Sequence, residues 1–286
     1  MRPMTFAKRL NTESVVVFTC IFIILILVIF AFFGDLIVPH SPTHGVLLDR
    51  LQPPFWQEGG SMKYPLGTDS VGRCILSRII SGVKYSLGIS IVSIVISALI
   101  GVPMGLISGF FGAGVDAVVM RLVDLGMAFP MIILGLLLSI ALGASVSTLL
   151  IVLVFCQWSR FARQVRAEVL SLKETEFVAL ARVAGCSSAR IISRHLLPNV
   201  TNTVLVLMTL QVSWTILVVA SLSFLGAGIP PPQPGWGLMV ADGREYLSTA
   251  PWVSMMPGLA IMITVLSFNT VGDWIRDRLD PRLQQL

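Results

Sequence analysis

Long apolar stretches alternate with shorter polar or proline-rich stretches along this chain. The first apolar stretch, residues 15–33, has 19 residues without a charge. A helix of that length, at about 1.5 Å rise per residue, crosses the hydrocarbon core of a bilayer. Five further apolar stretches follow, at residues 87–111, 118–142, 147–158, 204–225 and 253–271. The pattern therefore predicts an all-α polytopic membrane protein with six transmembrane helices.

The positive charges predict how these helices are oriented. With six spans, both termini and the long segment between the fourth and fifth spans lie on one face, together with 14 of the 20 Lys and Arg residues. This group includes Arg2, Lys8, Arg9 and Arg282 near the termini. Because cytoplasmic loops carry an excess of Lys and Arg, we expect both termini and the long basic segment in the cytoplasm.

Composition agrees with the membrane assignment and excludes several functions. The chain is 55% hydrophobic and 12% charged, with a mean hydropathy of +0.86, whereas soluble domains carry about 25% charged residues. The net charge of +5 follows from topology, so no nucleic-acid partner is expected. The phosphate-binding pattern Gly-x4-Gly-Lys-Ser/Thr is missing, and we expect no ATPase in this chain. Three scattered histidines and four scattered cysteines predict neither a metal site nor a disulfide.

Two predicted external segments, residues 34–78 and 226–251, are rich in proline and glycine. We expect irregular structure there, ordered by contacts with the helices. Trp236, Tyr246 and Trp252 are predicted to lie at the outer headgroup level, where amphipathic aromatic side chains are enriched.

Two features near the predicted inner face concern helix packing. Gly101, Gly105 and Gly109 recur every four residues, which gives a smooth helix face for packing inside the chain or for a subunit interface. Arg121 and Asp124 are three residues apart and can pair on one helix face. A structural ion pair at the membrane edge is favoured over a proton relay.

The long basic segment contains a predicted pair of short helices. Residues 173–184 form the first helix, Gly185 provides a left-handed turn, and Ser187 or Ser188 caps the second helix, which Pro198 ends. The periodicity is compatible with an amphipathic pair on the inner leaflet. It is equally compatible with a compact knob that docks a soluble partner.

The spacing in this segment resembles a known motif. Ala179-Leu180-Ala181 is followed after three residues by Gly185 and, after nine more, by His195-Leu196-Leu197-Pro198. This is similar to the EAA loop of bacterial ABC-importer permeases, Glu-Ala-Ala-x3-Gly-x9-Ile-x-Leu-Pro. Ala179, Leu180 and His195 depart from the pattern, which removes any specific role for its glutamate.

The resemblance extends over nearly the whole chain. LGTDSVGR at residues 66–73, Phe224-Leu225-Gly226 and the C-terminal residues through Asp280-Pro281 are similar to the dipeptide, oligopeptide and nickel permease family. The run at residues 53–61 favours the C-type dipeptide permeases within it. The resemblance implies the type I ABC-importer permease fold, with residues 1–80 as tail, first helix and external lead-in. It also implies a five-helix core over 81–272 with the loop at 159–200, and a cytoplasmic tail over 273–286.

The function that this resemblance implies is import driven by ATP. The chain is expected to be a multi-pass permease of the bacterial inner membrane that forms half of a pathway for peptides, with dipeptides favoured over oligopeptides. Nickel, a metallophore or glutathione are alternative cargoes, and an ion-coupled secondary carrier is the alternative class. Expected partners are a homologous permease subunit, two cytoplasmic ATPases that hold ATP and magnesium, an external binding protein and membrane lipid. No cofactor is expected in this chain.

The resemblance also assigns the ATPase-docking surface. Its predicted residues are Glu176, Ala179, Leu180, Ala181, Arg182, Gly185, Ser188, Arg190, Leu197 and Pro198.

Overall fold

Helices account for most of the chain in the computed structural model, which describes residues 4–279. They are α1 (Met4–Ile37), α2 (Ile75–Phe111), α3 (Ala113–Ala128), α4 (Met131–Leu142), α5 (Val146–Leu172), α6 (Glu176–Val183), α7 (Ser188–Ile191), α8 (Leu197–Phe224), α9 (Trp236–Gly243) and α10 (Trp252–Leu279). Arg2, Asp280, Pro281 and Arg282 lie outside the described residues, as do the side chains of Lys8 and Arg9.

Within residues 4–279, five helices are long and apolar enough to cross a membrane, and α3 with α4 makes a sixth if that bent pair counts as one span. The all-helical membrane architecture predicted from the apolar stretches is therefore confirmed. The described part of the chain contains no strand, only an isolated bridge between Thr68 and Cys74. The fourth apolar stretch is the N-terminal part of a longer helix, since α5 runs for 27 residues and extends to Leu172.

Helices α2 and α5 form the central pair, and the glycine face of α2 is where they meet. A Cβ atom on Gly105 would lie 2.6 Å from the carbonyl oxygen of Ala162, and one on Gly109 would lie 2.8 Å from Cβ of Val169. Gly101 is in similarly close contact with the backbone of Trp158. Small residues thus bring the two helix backbones together inside one chain.

The third predicted span is not one straight helix. Helices α3 and α4 meet at an angle of 79°, because Pro130 has no N–H to donate and forces the preceding residue out of the helical region. Phe129 accordingly has extended backbone angles, φ −94° and ψ 127°. Helix α4 then packs against the C-terminal end of α8, where Gly135 contacts Leu222.

The prediction that Pro198 ends the second loop helix is wrong. Helix α7 continues through a π-helical turn at Ile192–Leu196 into α8, giving one apolar helix over Ser188–Phe224. The wide turn accommodates the missing N–H of Pro198 at the first turn of α8, where a proline is tolerated. The side-chain amide of Asn199 donates to the carbonyl of His195 at 2.5 Å, so that this backbone acceptor has a partner.

The proline- and glycine-rich segments are ordered by contact with the bundle, and two tryptophans at the starts of α9 and α10 are not at the surface. Trp236 and Trp252 are only 1% and 8% exposed. Their indole N–H groups donate to the carbonyls of Ile79 at 3.0 Å and Thr68 at 3.4 Å. Both rings therefore face the protein interior and not lipid headgroups, because α2 and the turn before it cover them. Their depth at the outer headgroup level stays a prediction. Tyr246 is partly exposed.

Candidate functional site

A compact knob is built from α6, the turn after it and α7, residues 176–191. Helix α6 ends in a turn in which the Gly185 N–H bonds to the carbonyl of Arg182 and the Cys186 N–H to that of Ala181, both at 3.0 Å. Gly185 has φ +77°, the left-handed conformation that such a helix end requires. The side chain of Ser187 then caps α7. Both the left-handed glycine and the serine cap agree with the sequence prediction.

The underside of the knob is fixed to the transmembrane helices. Val178, Ala181 and Ile191 are buried against Val165 and Val169 of α5, in a cluster that also includes residues from α2 and α8. A displacement of the knob is therefore transmitted to three long helices rather than absorbed by a flexible linker.

The upper side of the knob is exposed and partly apolar. Leu180 is 68% exposed and Val183 is 87% exposed, without any cover from the described residues. Of the ten residues in the predicted docking surface, Ala181 alone is buried, and it belongs to the underside. The other nine are exposed: Glu176, Ala179, Leu180, Arg182, Gly185, Ser188, Arg190, Leu197 and Pro198. The surface combines apolar side chains with the charges of Glu176, Arg182 and Arg190.

Acidic residues of α3 pair with arginines of α5 near the knob. Asp116 accepts from both Nε and a terminal nitrogen of Arg166, the latter at 2.6 Å, and Ser108 also donates to it. Asp124 pairs with Arg163 at 2.7 Å. The predicted pair of Arg121 with Asp124 is therefore wrong, because a guanidinium on the facing helix reaches the carboxylate. No spacing in the sequence predicts this arrangement, because the two acidic residues are eight positions apart on α3 and the two arginines three positions apart on α5.

A second charged cluster lies at the opposite end of α8. Asp69 accepts from Nε of Arg73 at 2.6 Å and from the backbone N–H groups of Val71 and Arg73. Arg78 is 1% exposed, with its guanidinium 3.6 Å from Asp69 and donating to the carbonyl of Pro42 at 3.0 Å. The cluster fixes residues 34–74 to the start of α2.

A polar cavity of about 670 Å³ opens beside this cluster. Its walls come from the turn at Ser70–Arg73, the end of α8 and the segment that follows α9. Sequence reasoning did not find this cavity, because its charged residues lie about 170 positions apart and belong to no motif. Among residues 4–279 no group of three metal-ligating side chains occurs.

A helical membrane bundle with an exposed, rigidly supported knob at one end defines a membrane component of a transport machine. The family described as binding-protein-dependent transport system inner membrane component matches residues 101–285, and the chain belongs to this family. It is thus a multi-pass permease subunit of an ABC importer.

Similar proteins cover almost the full chain. A putative peptide transport system permease protein from Brucella suis is 40% identical over 92% of this chain and 86% of its own length. The di/tripeptide permease DppC from Pseudomonas aeruginosa is 37% identical over 91% and 86%. The glutathione permease GsiD from Pectobacterium atrosepticum is 36% identical over 98% and 91%.

A solved structure supports the fold. A chain of the inward-facing MetNI methionine ABC transporter superposes with a TM-score of 0.59, covering 72% of this chain and 98% of that chain at 20% identity. The similarity concerns the fold, and the type I importer fold implied by the EAA-type loop is thereby confirmed.

Proposed function

We propose that this chain forms half of a translocation pathway for small peptides, with dipeptides as the favoured cargo. Among the observations, the strongest support is the set of relatives named for peptide or di/tripeptide transport, at 37–40% identity over about nine-tenths of the chain. The homologous permease subunit would supply the other half of the pathway. An external binding protein would deliver the peptide.

We assign the exposed side of the knob to ATPase docking. Large exposed side chains such as Leu180 and Val183 are characteristic of a protein-binding surface, and the packed underside is suited to transmit a displacement to α2, α5 and α8. ATP and magnesium would be held by the two ATPase subunits, and this chain would bind no cofactor.

Reconstitution tests this proposal. The complete complex, purified from its native membrane and placed in proteoliposomes with the binding protein, is expected to take up labelled dialanine only when ATP is present on the knob side. Two ATPases and a second permease should copurify with this chain. Uptake of dialanine by this chain alone under an ion gradient would contradict the proposal.

Glutathione is the second candidate cargo, because the glutathione permease GsiD aligns with 98% of this chain. Competition distinguishes the two. If dipeptides are the cargo, a hundredfold excess of unlabelled dialanine should suppress uptake of labelled dialanine far more than the same excess of glutathione. The reverse order would assign glutathione.

A further inference from the structure

The polar cavity lies at the far end of α8 from the knob. Helix α8 has 28 residues, and at about 1.5 Å per residue it separates the two by about 42 Å. The cavity volume of about 670 Å³ falls within the range of about 300–1,000 Å³ that is common for small-ligand sites. Under the predicted topology this is the outer mouth of the permease, where a ligand arrives.

The cavity wall carries a carboxylate that lacks a close partner. Asp242 at the end of α9 has a side chain that is 36% exposed, and the nearest cation is Arg73 at 3.7 Å, beyond hydrogen-bond distance. Arg73 instead donates to Asp69 at 2.6 Å. Within the described part of the chain, no hydrogen bond to the Asp242 carboxylate is present.

A cation on the same wall is also available. Arg244 follows α9 directly and is exposed, and its guanidinium lies 6.0 Å from the centre of the Phe224 ring. Among the residues the structure describes, Arg244 belongs to none of the ion pairs. One cavity wall therefore carries charges of both signs: within the described chain Asp242 has only the long ion pair with Arg73, Arg244 has no ion pair, and Glu245 lies beside Arg244.

Stability does not account for the carboxylate at position 242. Burial raises the pKa of Asp242 above its ordinary value, and the arginines nearby offset this only in part. When the pKa of a carboxyl group is raised in the folded state, ionisation of that group lowers the stability of the folded protein. At neutral pH the charge of Asp242 therefore opposes folding. A charge held at a cost on a cavity wall is typical of a binding group.

We propose that this cavity is a reception site for a small zwitterionic peptide, in which Asp242 binds the α-ammonium group and Arg244 binds the terminal carboxylate. The proposal rests on the peptide cargo proposed above. A free peptide carries both charges and can pair with wall groups of both signs, whereas a ligand with one charge can pair with groups of only one sign. Phe224 and Tyr246, which also line the cavity, offer apolar surface to the peptide side chains.

The test measures labelled dialanine transported per ATP hydrolysed, in proteoliposomes that contain the complete complex and the binding protein. Asp242→Asn and Arg244→Gln are each expected to lower this ratio about tenfold or more, as the loss of a hydrogen bond to a charged group predicts. The half-saturating concentration of the loaded binding protein should not change. Glu58→Gln is the matched control, because Glu58 is exposed in the external lead-in and does not line the cavity.

Each other outcome overturns the inference. A ratio equal to that of the Glu58→Gln control shows that the cavity does not hold the cargo. A raised half-saturating concentration with an unchanged ratio shows that Asp242 or Arg244 docks the binding protein instead. A lowered melting temperature of the Asp242→Asn complex would assign Asp242 a structural role. The Arg244→Gln variant, at an exposed position, tests the site independently of Asp242. If the wild-type complex transports no dialanine, the peptide function fails instead.

Discussion

At the residue scale, Gly105 has no room for even one carbon more. An added Cβ would lie 2.6 Å from the backbone oxygen of Ala162, and a backbone atom of a packed helix cannot rotate away. Gly105→Ala is therefore expected to destabilise the protein by about 1–3 kcal/mol. Gly88→Ala in the same helix is the control, since its Cβ meets no atom within 4 Å, and it should be neutral or stabilising by up to about 1 kcal/mol.

Thermal unfolding in detergent compares the two variants directly. The Gly105→Ala protein should melt several degrees below wild type, and the Gly88→Ala protein at or above it. Equal melting temperatures would mean that α2 and α5 do not approach each other along this glycine face.

Gly185 is constrained by its backbone conformation and not by space. Its φ is +77°, and a Cβ would meet no atom within 4 Å, so a substitution strains the turn without disturbing the bundle. We expect Gly185→Val to insert at normal abundance while uptake falls about tenfold, because a strain of about 1–2 kcal/mol disfavours the docked turn. ATP hydrolysis should lose its dependence on the loaded binding protein.

Gly143→Val provides the matched control for the knob glycine. Gly143 has φ +84° and equally open surroundings, but it lies in the α4–α5 turn. Its substitution should carry at least as much local strain, because φ +84° with ψ 149° lies near a region that is essentially restricted to glycine, and should leave uptake coupled to ATP hydrolysis. Wild-type uptake by Gly185→Val, measured in the same vesicles, would contradict ATPase docking at the knob.

At the element scale, α3 is held to α5 by two ion pairs of different strength. Asp116 and Arg166 have side chains 20% and 28% exposed, whereas Asp124 and Arg163 are 56% and 49% exposed. A double-mutant cycle on Asp116→Asn and Arg166→Gln should give a coupling energy of about 1–3 kcal/mol, since the pair is bidentate and partly shielded from solvent. The cycle on Asp124→Asn and Arg163→Gln should give about 0–1 kcal/mol. Equal couplings would show that solvent reaches both pairs alike.

The apolar stretches were sufficient to predict the membrane helices, because span length and the absence of charge depend only on local sequence. The close approach at the glycine face and the left-handed turn at Gly185 were predictable for the same reason. The ion-pair partners of charged side chains were not predictable from local sequence. Asp124 pairs with Arg163 on another helix and not with Arg121 on its own, and this pairing depends on how α3 and α5 pack.

Two expectations based on residue type alone also did not describe the structure, because neighbouring residues change the surroundings of those side chains. Pro198 does not end its helix, because the π turn before it and the Asn199 side chain satisfy the affected backbone groups. Trp236 and Trp252 are buried and do not face lipid, because the starts of α9 and α10 pack on α2 and the turn that precedes it. The polar cavity has the same origin, since tertiary contact alone brings Arg73 near Asp242.

At the scale of the whole molecule, α8 connects the two candidate sites. Val200 near its start shares a buried cluster with the knob, together with Leu196 of the preceding π turn. At its other end, Phe224 and the following Leu225 line the polar cavity. A rigid helix that contacts both ends moves one when the other moves. Alternating access between the two sides of the membrane requires a connection of this kind.

The two ends must then face opposite sides of the membrane, which labelling can test. Lys63 in the lead-in has a side chain 55% exposed, and Val183 on the knob is 87% exposed. In a background with Cys186, in the turn of the knob, replaced by serine, Lys63→Cys should react with a membrane-impermeant maleimide in intact cells. Val183→Cys should react only in inverted vesicles or after permeabilisation, as the excess of positive charge around the knob predicts. Since the cavity and the lead-in share one end of the bundle, reaction of Lys63→Cys from the cytoplasmic side would invert the topology and place the reception cavity on the wrong side for import.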